Sequence, residues 1–142
     1  MTDFYINDNL NPEIAKKTYK IQVDKQITVE DIENIMVTAI EGGIGYWSVL
    51  KANTPEWVNK PKGLPVSQYA TQLLVEGKEV VFFDSEENEK DADHWTLTLE
   101  KLLNGIVKNT NERPQDADLD NMDALTADCI VQFALFDEVV YG

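Results

Sequence analysis

The chain has one histidine, His94, and one cysteine, Cys129, and this scarcity limits the chemistry open to it. A zinc site built on two histidines is excluded, and one histidine with one cysteine is too small a ligand set. A cysteine nucleophile needs a neighbouring base, yet Cys129 sits amid a mostly apolar helix and reads as an inert core thiol. No serine stands in a nucleophile elbow, no GxGxxG follows a strand, and there is no P-loop lysine motif. The tract Asp116, Asp118, Asp120 imitates the opening of a calcium loop. It fails where such a loop is most demanding: Asn121 stands where a turn glycine is needed and Ala127 where a bidentate glutamate is needed. A solvated acidic loop is the expectation there. No catalytic residue, metal site or cofactor is therefore assigned.

What remains is a group of polar and aromatic side chains in costly positions: Glu41, Tyr46, Trp47, Asp128 and Gln132. Glu41 ends a helix, where the macrodipole disfavours negative charge. Asp128 and Gln132 lie four apart on one face of a final helix that is otherwise mostly apolar. A buried carboxylate has to be paired or hydrogen-bonded. The first expectation is structural: Asp128 and Gln132 bond the backbone of the Gly42–Gly45 hinge or the Tyr46 hydroxyl. The alternative is a small polar ligand pocket lined by all five residues.

The elements that would position this group follow from periodicity. Thr28 is a good N-cap with Asp31 placed for a capping box. Val29, Ile32, Ile35, Met36, Ala39 and Ile40 then form one helical stripe. Gly42 and Gly43 follow, with the left-handed conformation expected to close the helix. Tyr46–Leu50 reads as a strand. Gly42-Gly43-Ile44-Gly45 does not suit a phosphate, because it meets the negative end of the helix. It suits instead a seat where the final helix comes close.

Elsewhere, residues 1–14 read as a loose lead-in. Tyr19, Ile21 and Val23 within Lys17–Ile27 alternate like a half-buried strand. Asn53–Pro65 is a long loop, either a place for binding or a loop pinned to the core by Trp57. Ser67 is read as the cap of a helix carrying Tyr69, Ala70, Leu73 and Leu74, closed by Gly77. Glu79–Asp84 is a buried strand, joined by the charged turn Ser85–His94 to a returning strand at Trp95. Thr98 caps a helix with Leu99, Leu102, Leu103, Ile106 and Val107 inward; Asn104–Gly105 is an awkward pair expected to shorten it or mark its end. Asn109–Met122 is read as irregular, and Asp123–Val139 as a deeply packed last helix. The sum is one domain over residues 1–142, of the α+β class: a small four-stranded, largely antiparallel sheet packed against about four helices.

Charge is the strongest compositional fact. Of 26 acids and 12 bases, giving a net charge of −14, residues 72–142 hold seventeen acids and five bases. Direct nucleic-acid binding by counterion release is not expected of such a chain. The acids could instead face a basic partner. The candidate surface is Asp84, Glu86, Glu87, Glu89, Asp91 and Asp93 in the charged turn, with Asp116, Asp118 and Asp120. Simple solubilisation by acidic groups is the plainer account. No apolar run approaches the ~20 residues of a membrane span, and the opening MTDFYINDNL lacks the basic and apolar parts of a signal peptide. With no second cysteine, no internal disulfide forms, which fits a reducing cytoplasm. The apolar final helix and Phe133–Tyr141 offer a surface for an oligomer.

Three blocks carry a resemblance. Glu41-Gly42-Gly43-Ile44-Gly45-Tyr46-Trp47, the stretch Trp95 to Ile106, and the ending Ala127-Asp128-Cys129-Ile130-Val131-Gln132-Phe133-Ala134-Leu135-Phe136-Asp137-Glu138-Val139-Val140-Tyr141-Gly142 resemble a family of short uncharacterised proteins of bacteriophages, plasmids and bacterial genomes. The blocks span most of the chain in the same order. A glycine commonly stands in that family where this chain has Asp137, which implies that the last helix ends differently here. The resemblance implies a context, an accessory protein of a mobile element in a bacterial cytoplasm, and no established activity. Two functions are therefore carried forward. One is a non-enzymatic interaction protein whose acidic half imitates DNA toward a basic host protein. The other is a small-ligand-binding protein or small enzyme using the Tyr46, Trp47 and Asp128 group.

Overall fold

In a computed structural model, which describes residues 10–88, 90 and 92–142, helices cover one face of a short antiparallel sheet. A four-residue helix α1 (Pro12–Ala15) precedes α2 (Val29–Thr38), which begins at the Thr28 cap. Both halves of the capping box are made: the Asp31 N–H donates to Thr28 Oγ1 at 3.1 Å and the Thr28 N–H to Asp31 Oδ2 at 2.9 Å. Strands β1 (Ser48–Lys51), β2 (Val80–Asp84) and β3 (His94–Leu97) pair in the order β1-β2-β3, antiparallel throughout. Helices α3 (Val66–Val75), α4 (Leu99–Glu112) and α5 (Ala124–Phe136) complete the fold.

The sheet places Val80, Phe82 and Leu97, all fully buried, against the helices. Val81 and Phe83 alternate to the other face and are half-buried, beside the exposed Val49. That is the period of a one-sided sheet. α4 lies along α5, and α2 packs on α3 and α5. Ile35, Met36, Ala70, Leu73, Leu74, Leu102, Ile130 and Val131 close the core without residual exposure beyond 1%.

Several expectations need correction. The sheet has three strands among the described residues, not four. Lys17–Ile27 forms neither helix nor ladder, and Tyr19, Ile21 and Val23 are bare to solvent. Alternation specifies which face a strand would bury, but it cannot supply the partner that makes the strand. Ser67 lies inside the first turn of α3 and is buried; Pro65 holds the cap position without a side-chain bond. Asn104–Gly105 does not stop α4, which runs to Glu112. A Cβ on Gly105 would stand 2.6 Å from Ile130 O and 2.9 Å from Ala134 N. The glycine is there because α5 crosses α4 at backbone contact, at the expense of local helix propensity. Asn109–Met122 is more ordered than expected, with the last turn of α4 and two 3-10 turns at Pro114–Asp116 and Leu119–Asn121.

The long loop is pinned rather than open at Trp57. That side chain is buried, its ring 5.3 Å from Tyr69, and the Tyr69 hydroxyl donates to Glu56 O at 3.1 Å. The final helix is buried from Thr126 through Phe133, while Leu125 in its first turn is exposed. It ends at Asp137 with φ 62° and ψ 1°. This is the left-handed closing position that glycine favours, and here an aspartate occupies it. Asp tolerates it better than most side chains.

Candidate functional site

The hinge after α2 is a π turn. Residues Ala39–Gly43 widen the helix, and the Ile44 N–H donates to Ala39 O at 2.9 Å, five residues back. The expected left-handed glycine is not used: positive φ occurs at Gly63, Gly77 and Gly142, and at none of the three hinge glycines. Proximity explains Gly43 instead. A Cβ there would stand 2.7 Å from Ala124 O and 3.4 Å from Asp128 N. The N-terminus of α5 therefore rests on the hinge backbone, as the sequence suggested. The chain then turns into β1 through Ile44 O, which accepts from the N–H groups of Trp47 and Ser48 at 3.0 and 2.9 Å.

That seat brings Asp128 under Tyr46 and Trp47. Asp128, 3% exposed, accepts from Trp47 Nε1 at 2.8 Å and Gln132 Nε2 at 2.8 Å on Oδ1, and from the Tyr46 hydroxyl at 2.6 Å on Oδ2. Gln132 is fully buried and uses all four of its bonding positions. Its second N–H donates to Tyr141 O at 3.2 Å, and its oxygen accepts from the Val140 and Tyr141 N–H groups at 2.7 and 2.8 Å. The side chain thus stands in for a strand partner and holds the C-terminal tail. Tyr141 in turn stacks flat on Trp47, with ring centroids 4.9 Å apart and planes 6° from parallel. Trp95 and Phe136 meet edge-on at 5.2 Å, and each lies 5.6 Å from Trp47. Hinge, final helix and tail are one knot of aromatic rings around a carboxylate and an amide.

The electrostatics match. Loss of solvent around the Tyr46 hydroxyl, followed by its bond to the Asp128 carboxylate and their mutual charge, raises its pKa from 10.0 to about 12. Tyr46 therefore stays a donor across the neutral range. Tyr141 is shifted up as well, by burial first and then by Asp84, Asp93, Glu87 and Glu86 nearby. Burial also raises the Cys129 thiol, which keeps it protonated and poorly nucleophilic.

Four of the five candidate residues are therefore brought together, with Asp128 at the centre. Glu41 stands apart: it is exposed and accepts from Ser67 Oγ at 3.1 Å, tying the hinge to α3. Two partners were invisible in sequence. Nothing in local spacing said that Gln132 would bind the backbone at Val140 and Tyr141, or that Ser67 would meet Glu41. The polar and aromatic character of the ending was the only sign.

The acids divide into two kinds. Glu86, Glu87 and Asp93 are exposed around the β2–β3 turn, with Asp84 half-buried beside them; Glu89 and Asp91 lie outside the described residues. Asp116 pairs with Arg113, which also donates to Asn109 Oδ1 at 3.2 Å. Asp118 accepts from the Asp120 N–H and Asn121 Nδ2, so it closes its own turn. Among the described residues no three histidine, cysteine or acidic side chains converge to hold a metal ion. No described helix is long and apolar enough to cross a membrane. Open grooves lie away from the knot; one of about 480 Å³ runs between Val23, Lys25 and Ile27 and the α4 residues Leu103, Ile106 and Val107.

No protein-family model, curated protein or solved structure matches the chain.

Proposed function

We propose that this is a non-enzymatic accessory protein of a phage or other mobile element. It acts by protein–protein contact in the host cytoplasm, presenting acids to the basic surface of a host defence or nucleic-acid-binding protein in the manner of DNA. The observation that carries this reading is the division of polar groups just described. The Asp128 and Gln132 bonds all go to the protein's own chain. The carboxylates of Glu86, Glu87 and Asp93 are open to solvent on one turn. The concentration of acids in residues 72–142 and the resemblance of the hinge and ending to mobile-element proteins support it. An acidic patch of this sort speeds encounter with a cationic surface and repels competing acidic ones. The knot then serves the interface indirectly, by holding the β2–β3 turn beside Tyr141.

The test is displacement. A panel of basic bacterial DNA-binding proteins is loaded with fluorescent duplex DNA, and this protein is titrated in at several salt concentrations. The reading expects release of the DNA by at least one panel member, with potency falling as salt rises. Absence of release across the panel, or release indifferent to salt, contradicts it.

A further inference from the structure

Residues 10–26 contain no buried side chain. Yet Leu10, Ile14, Tyr19, Ile21 and Val23 are among them, the last three 84, 82 and 77% exposed. Single apolar side chains on a surface need no explanation, but a regular row of them does. The row has the two-residue period of a strand with one face to cover. The same segment is basic: Lys16, Lys17, Lys20 and Lys25 stand against Glu13 and Asp24, in a chain of net charge −14. An apolar, cationic arm therefore projects from an anionic body.

The body offers a matching edge. β1 is an outer strand of the sheet, and among the described residues no backbone bond from outside the sheet reaches Val49, Leu50 or Lys51. The other edge is partly closed, since Lys101 Nζ donates to Thr96 O on β3 at 2.8 Å. The face carrying Val49, Val81 and Phe83 is incompletely covered, and an added strand would extend it with apolar groups. Ser48, where β1 begins, pairs with Asp84. Lysines arriving there meet Asp84, Glu86 and Glu87. In its own chain the arm lies on neither edge. Its root is held at the helix layer, where Lys25 Nζ donates to Ala117 O at 3.0 Å and Ile27 packs on the core.

We infer that Lys17–Val23 of one copy adds to β1 of a second copy as a fourth strand, and that two such arms exchanged reciprocally make a two-fold dimer. Backbone bonds along the edge supply affinity, Tyr19, Ile21 and Val23 supply the covered face, and Lys17 and Lys20 meet the partner's acidic turn. The occupant is a second copy because it carries both an open edge and the carboxylates that complement the arm. This goes beyond the proposed interaction with a basic host protein and does not depend on it.

Sedimentation velocity on the full chain tests it, over a wide range of protein concentration and at low and high salt. The expected species at low salt is twice the 16.1 kDa chain mass, shifting toward the single mass as salt rises. Ile21→Pro, which removes a strand N–H from a residue 82% exposed in the monomer, should halve the mass and leave thermal unfolding of the monomer unchanged. A second variant, Tyr19→Lys with Val23→Lys, should do the same without proline. Hydrogen exchange should show joint protection of amides in 19–23 and 49–51 in the dimer alone. A wild-type chain that stays monomeric overturns the inference, whether its arm is free, docked on its own sheet or reserved for a foreign strand. So does a dimer that survives both variants, or one in which 49–51 gains no protection.

Discussion

Replacing Asp128 with alanine removes the only acceptor that Trp47 Nε1 has among the described residues and one of two acceptors for Gln132 Nε2, both inside the core. A buried donor left without a partner costs about 1–3 kcal/mol. With one orphaned indole, one weakened amide and the lost packing of the side chain, the expected loss is about 3–5 kcal/mol, large against the ~5–15 kcal/mol of a typical domain. Asp128→Asn is the informative companion. Its carbonyl can keep the Trp47 and Gln132 donors while its amide donates to a turned Tyr46 hydroxyl, so only the charge assistance is lost, about 1–2 kcal/mol. Urea unfolding followed by tryptophan fluorescence reads both. At ~2 kcal/mol per molar urea, the alanine variant should move its midpoint down by about 2 M and the asparagine variant by less than half of that. An alanine variant within about 1 kcal/mol of wild type would refute the idea that the knot holds the fold, and would reopen a ligand pocket around Tyr46 and Trp47.

Other outcomes follow from the same geometry. Gly43→Ala and Gly105→Ala should each destabilise by about 2 kcal/mol or more, because their Cβ atoms meet backbone at 2.7 and 2.6 Å. Gly42→Ala and Gly45→Ala, with nothing within 4 Å, should be neutral or gain up to ~1 kcal/mol by thermal unfolding. Asp137→Gly should stabilise by about 0.5–1 kcal/mol, since the residue sits at φ 62°. Tyr46 favours its neutral form in the folded state, so its stabilising share is fully present below pH 10 and is lost between pH 10 and about 12. With the ring half-exposed the amount is about 1 kcal/mol after screening. Urea midpoints across that window should fall less steeply for Tyr46→Phe than for wild type, and a parallel fall would exclude Tyr46 as the group responsible.

Much of the fold was legible because local signals and burial agree. The Thr28 capping box, the α2 stripe and the Thr98 cap of α4 all rest on short-range geometry that sequence encodes directly. Buried β2 and its return through the charged turn were likewise plain from an apolar run bounded by acids. What failed depended on distant partners. Lys17–Ile27 has the pattern of a strand, but a strand exists only where an edge accepts it. The glycines at positions 43 and 105 were read through backbone freedom or helix propensity, whereas close approach by α5 governs both. The candidate group was half legible. A carboxylate on an apolar helix had to find donors, and the aromatic pair past the hinge were reasonable ones. The capture of the tail by Gln132 and the diversion of Glu41 to Ser67 depend on tertiary proximity alone. The acids could be counted but not sorted: only coordinates separate Asp116, paired to Arg113, from the open Glu86 and Glu87.

The central claim is that the open carboxylates of the β2–β3 turn do the work while the knot behind them keeps the fold. The most direct measurement compares wild type with the triple variant Glu86→Gln, Glu87→Gln, Asp93→Asn in displacing fluorescent duplex DNA from the same basic DNA-binding protein at fixed salt. Three rim charges at about 0.5 kcal/mol each predict roughly tenfold weaker displacement by the triple variant, with an unchanged urea midpoint. Equal displacement by the two proteins, or none by wild type, contradicts the claim.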